Sequence, residues 1–467
     1  MITLYTSSSW QDNSQYQIGW AFYKLEEYGN AIDAFSEVIR KFPSSRLQPN
    51  AIFGIANCYF KQGHYTNAIN EYKKVVENYP NLKVQSRESG AEKAVNLRPE
   101  AQYYIAESHM NLKNYSKAIK AFEKVIQHYP KSNWADDAQY SIATAHENLG
   151  QKAKSLQAYR TLIKDYRSSS LAPDVQLQIG RFYYVDTDYK RAISEFQKVV
   201  KQYPNTSSAW LAKYNIGKSY LMLGSYKQSI EAFSQVDPKS EFSASAMFEI
   251  GNAWYNKKNS RRNLTNAINI LTDIPEKHPK SPFAAKALVL AGECHQEMVQ
   301  WQKAIDLYNR VISYYPQSDQ AEYAQIALGH SYKAQKNFLQ AIEAYDIIRQ
   351  KGTDRYRIEI VVEAELHLAK TQAILGRHYD SGVTYLRVRH LREQHDSLTA
   401  FHAAVRASDA FIKANDIYMA KDTCEDALNL FEAKVANADA RKKEEWNQLH
   451  DYAQNQYKQI LSRIEQQ

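Results

Sequence analysis

Three residue types in this chain could carry chemistry: cysteine, histidine and clustered arginine or lysine. Cys58, Cys294 and Cys424 are scattered over 467 residues, too few and too far apart for a disulfide framework or a cysteine zinc site. Cys58 and Cys294 occupy a position held elsewhere by Ala21, Ser108, Ala145, Ser219 and Ser331. A free cysteine there acts as a small hydrophobe. His109, His146 and His295 share a position with Phe22, Tyr59, Tyr183, Tyr220 and Tyr332, which assigns them to packing. A denser group, His367, His378, His390, His395 and His402, lies toward the C-terminus. His395 and His402 are two helical turns apart, roughly 10.5 Å, and His390 and His395 point to different faces. No metal or cofactor is therefore expected. The stretch KKNSRRN (257–263) and the group Arg387, Arg389 and Arg392 could touch phosphates, but a solvated charged surface explains them as well. No glycine-rich phosphate loop, GxSxG or HExxH is present, so the sequence offers no catalytic constellation. The 35 tyrosines suit base stacking in principle, yet most fall at positions the fold itself needs.

Composition narrows the class. The hydrophobic fraction is 44%, the net charge is +8 and the mean hydropathy is −0.61. The charge permits an acidic partner without demanding one. No apolar run reaches the 18 or so residues of a membrane span. The start, MITLYTSSSW, has neither a basic nor an apolar signal-peptide region. It also enters the periodic pattern almost at once, so the sequence is expected to begin partway into a longer natural chain.

The elements that position these residues repeat. In NYSKAIKAFEKVIQHYP (114–130), Tyr115, Ala118, Ile119, Phe122, Val125, Ile126 and Tyr129 step by three and four, one apolar stripe on a helix. Pro130 closes it. The alanine recurs, or a serine replaces it, at Ala31, Ala68, Ala118, Ser155, Ala192, Ser229, Ala267, Ala304 and Ala341. The steps are 37, 50, 37, 37, 37, 38, 37 and 37 residues, the mark of repeat architecture. Twelve residues earlier a small residue recurs: Gly19, Ala56, Ala106, Ala143, Gly180, Gly217, Gly292 and Gly329. A ring follows it three positions on. A small face pressed on a neighbour with a large ring beside it predicts a second helix packed on the first.

These columns resemble the tetratricopeptide repeat over roughly residues 10–350. Gly19, Phe22, Ala31, Phe35 and Pro43 match the family's small–aromatic–alanine–aromatic–proline signature. Gly217, Tyr220, Ser229 and Phe233, and Gly329, Tyr332, Ala341 and Tyr345, match it again. The resemblance implies an all-α, right-handed superhelical solenoid of about ten helix-turn-helix repeats, its inner wall built mainly from the first helix of each. The unit here is longer than the family's usual one. The extra residues lie in linkers such as YPNTSSAWLA (203–212) and HPKSPFAAKA (278–287). Long repeats with a tyrosine-proline-x-serine linker look like those of bacterial envelope proteins, such as the periplasmic partner of the Tol–Pal system or the lipoprotein of the outer-membrane β-barrel assembly machine.

The domain expectation is a regular array over 1–352, divergent helical pairs over 353–435, and a C-terminal capping helix over 436–467. Residues 81–99 account for the single step of 50 and are expected to form a loop insert. Trp446, Leu449, Tyr452, Ala453, Tyr457, Ile460, Leu461 and Ile464 give the last segment a helical apolar face.

Positions that the packing columns leave free carry the functional expectation. One residue after the small column stand Trp20, Asn57, Glu107, Arg181, Lys218 and Glu293; three further on stand Tyr23, Phe60 and Tyr184, with Glu297 nearby. By the resemblance these line the inner wall. An aromatic end followed by mixed charge suits an extended peptide or a partner helix better than a small molecule. The expected function is a non-enzymatic protein-interaction scaffold, placed by its linkers in bacterial cell-envelope assembly or maintenance. That implies a periplasmic or outer-membrane-associated location if the N-terminus is truncated, and a cytoplasmic one if Met1 is the true start. Two other classes fit the residues: a recognition arm of an enzyme whose catalytic domain lies outside this chain, and a binder of anionic polymer or lipid through the basic turns.

Overall fold

The structure is a computed structural model that describes residues 11–79, 84–86, 93–95, 97–257, 260–393, 396–435 and 440–466. Twenty-three helices are present among the described residues, and they fall into two units, residues 1–223 and 224–467.

The first unit runs α1 (Gln11–Lys24), α2 (Tyr28–Lys41), α3 (Gln48–Lys61), α4 (Tyr65–Asn78), α5 (Leu97–Asn111) and α6 (Tyr115–His128). It continues with α7 (Ala135–Asn148), α8 (Lys152–Asp165), α9 (Ala172–Val185), α10 (Tyr189–Gln202) and α11 (Ser207–Met222). The second unit holds α12 (Tyr226–Ser234), α13 (Ser243–Asn256), α14 (Arg261–Lys277), α15 (Phe283–Glu297), α16 (Trp301–Tyr314) and α17 (Asp319–Ala334). After these come α18 (Phe338–Arg355), α19 (Ile358–Ile374), α20 (His378–Arg392), α21 (Ser397–Lys413), α22 (Ile417–Lys434) and α23 (Ala440–Glu465). Each unit is an α-solenoid. Every helix packs on the next one in its unit, and odd-numbered helices also touch, as α1 with α3, α9 with α11 and α15 with α17. Within the units the helices form ten first-and-second pairs, α1/α2 to α9/α10 and α13/α14 to α21/α22, as against about ten expected; α11 ends the first unit, α12 opens the second and α23 closes it.

The packing columns explain this order. Every residue of the alanine column, from Ala31 to Ala341, is fully buried, its two serines included. Four positions on, Phe35, Tyr72, Phe122, Tyr159, Phe196, Phe233, Leu271, Tyr308 and Tyr345 are buried almost completely. In five of the pairs that large side chain fills the space left by a glycine on the preceding first helix, as Phe35 does at Gly19 and Tyr345 at Gly329. In the α13/α14 pair the small residue is Gly251, set against Leu271. The longer turn that follows it took this glycine out of the sequence register.

A second regularity ends ten of the first helices. Seven positions after the small residue the backbone turns left-handed, at Glu26, Gly63, Lys113, Gly150, Thr187, Gly224, Val299, Lys336, Gly376 and Asn415. The next amide donates back to the ring-column carbonyl, His64 to Tyr59, Asn114 to His109 and Asn337 to Tyr332, each at 2.9 Å. This is the Schellman closure, which satisfies a helix-end carbonyl and reverses the chain in two or three residues. Buried glutamines add a third tie. Gln102, Gln139 and Gln325 donate to the carbonyls of Ala121, Ala158 and Ala344 at 2.9–3.0 Å, fastening first helix to second.

Within the expected loop 81–99, the described residues form β1 (Val84–Ser86) and β2 (Lys93–Val95), antiparallel with Val84 opposite Val95. Residues 97–99 belong to α5 instead, because Leu97 and Pro99 are buried in its first turn; the rest of 81–99 lies outside the described residues. Beyond α18 the spacing of the alanine column stretches from 37 to 40, since Ser381 takes the place of Ala341. Gly352, left-handed at φ 54°, supplies the bend that absorbs the extra residues. Helix α23 covers α21 and α22. Trp446, Ala453 and Ile460 are buried there, Trp446 stacking on Phe401 at 5.2 Å, while Tyr452 is exposed.

Candidate protein-binding wall

The residues expected on the inner wall come from the first helices, and the structure sorts them into three groups. At the start of the first unit the aromatics hold one another in place. Trp20 and Tyr23 meet edge-on at 5.0 Å, and Tyr23 meets Tyr28 at 5.6 Å. Burial, with Tyr28 adding to it, pushes the Tyr23 hydroxyl up to about 12. Phe60 meets Tyr104 at 5.2 Å, and Tyr104 lies 5.6 Å from Trp134 and stacks on Tyr72 at 5.6 Å. Asn57 accepts a 2.6 Å hydrogen bond from the Tyr72 hydroxyl. All of these except Tyr72 are half-buried, so they offer apolar surface whose rotamers are already fixed.

Tyr104, Trp134 and Glu100 were missed in the sequence reading. Tyr104 meets Phe60 of the repeat before it, Trp134 meets Tyr104 in the same way, and Glu100 lies near Tyr72 and Tyr104. The same crossing pairs Glu107 with Ser141, whose hydroxyl donates to Glu107 Oε1 at 3.3 Å. Burial raises the Glu107 carboxyl, and hydrogen bonds from Tyr103 and Ser141 oppose the rise.

Glu100 is pushed up to about 7 by burial. Below pH 4.5 its carboxyl is protonated whether the chain is folded or not. Between that value and about 7 the folded state keeps a proton the unfolded chain releases, so stability falls as pH rises. Glu100→Gln is expected to stabilise the first unit at pH 8 by on the order of 1–3 kcal/mol and to have little effect at pH 4.5. Urea titrations at the two pH values check this; an equal change at both would contradict it.

The middle group is built on α7, α9 and α11. Arg181 is exposed and lines a cavity of about 300 Å³ with Glu147, Lys152, Gln178, Phe182 and Val185. Lys152 pairs with Asp186 and lies 5.5 Å above the Phe182 ring. Tyr184 and Lys218 come together, the ammonium 5.6 Å above the ring and 5.9 Å above that of Tyr214. The third group belongs to the second unit. There Glu293 and Glu297 stand close enough to Tyr255 and Cys294 to add to the rise that burial gives both groups.

Several of the remaining singled-out residues have structural roles. Cys58, Cys294 and Cys424 are fully buried, and burial pushes their thiols up to about 12, 12 and 11. A buried thiol of that kind is inert. His146 and His295 bond Gln151 and Gln300 at 2.9 and 2.8 Å. The arginine group is not the free charged surface expected of it. Arg387 binds Glu365 at 2.9 Å, and Arg389, itself buried, is held by Glu393 and Asp426. In the basic turn Lys257 lies 5.2 Å over Trp254, and Arg261 and Arg262 are exposed; Lys258 and His395 lie outside the described residues.

Family models described as tetratricopeptide repeat match residues 16–82, 100–132, 137–169, 174–206 and 286–318. The chain carries tetratricopeptide repeats. The Schellman turns and ring columns extend the same unit through α17, α19 and α21. Among solved structures, the chain is similar to the C-terminal part of a TPR repeat-containing protein from Cytophaga hutchinsonii, with 17% identity and a TM-score of 0.41 over 58% of this chain and 98% of that one. It is also similar to MamA from Desulfovibrio magneticus, with 19% identity and a TM-score of 0.32 over 39% of this chain and 97% of that one. A third is PilF from Pseudomonas aeruginosa, with 17% identity and a TM-score of 0.34 over 49% and 96%. No curated protein matches the chain. Repeats of this family mediate protein–protein interaction, and the tetratricopeptide repeats of this chain make it a protein-interaction scaffold.

Proposed function

We propose that the chain is a non-enzymatic scaffold that takes an extended segment of a partner protein along the first-helix wall. The observation that carries this is the half-buried aromatic run from Trp20 and Tyr23 through Phe60, Tyr104 and Trp134, whose rings are locked edge-on or tilted against one another. Rigid aromatics tend to dominate interface energy because little rotamer freedom is lost when they are covered. The cavity beside Arg181 has room for one partner side chain, Arg181 and Lys152 line it with positive charge, and Lys218 adds another cation over Tyr184. The finer part of the proposal, a place in a bacterial envelope complex, rests on the tyrosine-proline-x-serine linkers at 129–132, 203–206, 278–281 and 315–318, some with histidine or threonine.

Quantitative affinity capture from the source cells tests the wall. The Trp20→Ala/Tyr23→Ala/Phe60→Ala variant is expected to lose the partner outright, since each anchor contributes roughly 1–4 kcal/mol. Arg181→Ala/Lys218→Ala is expected to slow association and flatten its salt dependence. If both variants keep their helical content and the same partner at the same affinity, the wall reading is wrong. Loss of binding only on neutralising Lys257, Lys258, Arg261 and Arg262 would favour an anionic polymer or lipid instead. Cell fractionation tests the envelope assignment separately.

A further inference from the structure

His330 on α17 and Glu363 and His367 on α19 form the one group of histidine, cysteine and carboxylate side chains, among the described residues, whose donor atoms converge as a metal would need. One donor atom from each residue lies within 4.8 Å of the other two. Glu363 and His367 are four apart on one helix, so they share a face, and His330 reaches them from the first helix of the preceding pair. The two imidazole centroids are 4.3 Å apart with the rings inclined at 65°. Tyr345 stacks on His367 at 5.7 Å and 23° and also meets His330 at 5.8 Å, so the three rings form one cluster.

Packing alone does not account for this arrangement. His330 Nε2 and His367 Nδ1 are both buried, and neither has a hydrogen-bond partner. A buried imidazole nitrogen left unpaired costs about 1–3 kcal/mol, and here two such atoms stand in one cluster with a carboxylate. We propose that His330, Glu363 and His367 bind a borderline divalent cation, Zn²⁺ above the hard cations, with the remaining coordination positions open to water or to a donor side chain of a partner.

The chemistry favours this ion class. Two nitrogen donors and one carboxylate suit zinc, which takes three protein ligands where a fourth position is left open. Magnesium and calcium prefer oxygen sets. Bonds of about 2.0–2.1 Å place tetrahedral ligand atoms roughly 3.4 Å apart, so side-chain rotations alone close the group on an ion. Lys333 and Lys370 stand three residues beyond the two histidines on the same helices and repel a cation. They weaken the site's hold on a cation and give it a charge lever outside its ligands. The two histidines are 37 residues apart and meet only through the stacking of α17 on α19, so no spacing within one helix reveals the cluster.

Isothermal titration of the tag-free full chain with Zn²⁺ tests the site, with Mg²⁺ and Ca²⁺ as controls and Co²⁺ absorption as the spectroscopic readout. The expected result is one Zn²⁺ per chain, no heat from the controls, and visible Co²⁺ bands of a nitrogen- and oxygen-ligated site. His330→Gln, Glu363→Gln and His367→Gln should each weaken binding by about tenfold or more. Lys370→Gln, which leaves the ligands intact, should tighten it roughly threefold to tenfold. Circular dichroism establishes that each variant is folded. No saturable Zn²⁺ binding, or an affinity unchanged both in the histidine variants and in Lys370→Gln, overturns the proposal. Should the histidine variants fail to fold, an unchanged affinity in Lys370→Gln overturns it alone.

Discussion

Phe196→Ala is expected to destabilise the first unit by about 3–5 kcal/mol, seen as a lower denaturant midpoint with helicity lost first in α9 and α10. Phe196 is fully buried between those helices, and it occupies the volume that a side chain on Gly180 would need. A Cβ at 180 would fall inside the van der Waals envelope of the ring atoms Cε1 and Cδ1. Gly180→Ala is therefore expected to cost roughly 1–3 kcal/mol by overpacking, in spite of alanine's better helix propensity. The two effects share one contact, so they should not add. Gly180→Ala combined with Phe196→Leu should cost clearly less than the sum of the singles. Strict additivity in that cycle would mean that the ring and the glycine do not meet.

The same contact shows why so much of the fold was legible. A glycine or alanine, a ring and an alanine at fixed offsets are the visible trace of one helix pressed on another, and that trace recurs at Gly19, Gly180 and Gly329. The buried glutamines at 102, 139, 176 and 325 left no such trace, because a polar residue in an amphipathic pattern reads as surface until its partner carbonyl is placed opposite. The first-helix positions of the candidate wall were legible to the same depth. Trp20, Phe60 and Arg181 follow from counting along one helix. Tyr104 against Phe60, Ser141 against Glu107, and His367 against His330 join two repeats through the pitch of the stack, which no spacing within a helix states. After Gly352 the stretched step moves the register, with Ser381 forty residues after Ala341 where thirty-seven would be expected.

Arg387→Ala is expected to destabilise the second unit by about 2–4 kcal/mol near pH 8, the low end reflecting the half-exposed guanidinium. Its partner Glu365 on α19 is fully buried. One carboxylate oxygen accepts from Arg387 Nε at 2.9 Å, and the other is buried with no hydrogen-bond partner. Burial raises the Glu365 carboxyl, and the Arg387 charge is the largest influence holding that rise back. Removing the arginine lets the folded-state pKa climb further above the unfolded value. The folded variant then holds a proton that the unfolded chain gives up, so its extra instability is complete above the folded pKa and fades as pH falls toward 4.5. Glu365→Gln in the Arg387→Ala background removes the buried charge and should recover most of the loss at pH 8. Urea titrations of the single and double variants at pH 5 and pH 8 decide it. A loss in Arg387→Ala that is the same at both pH values, or that Glu365→Gln fails to relieve, would place the cost in the arginine's own packing along α20 and not in the buried carboxylate.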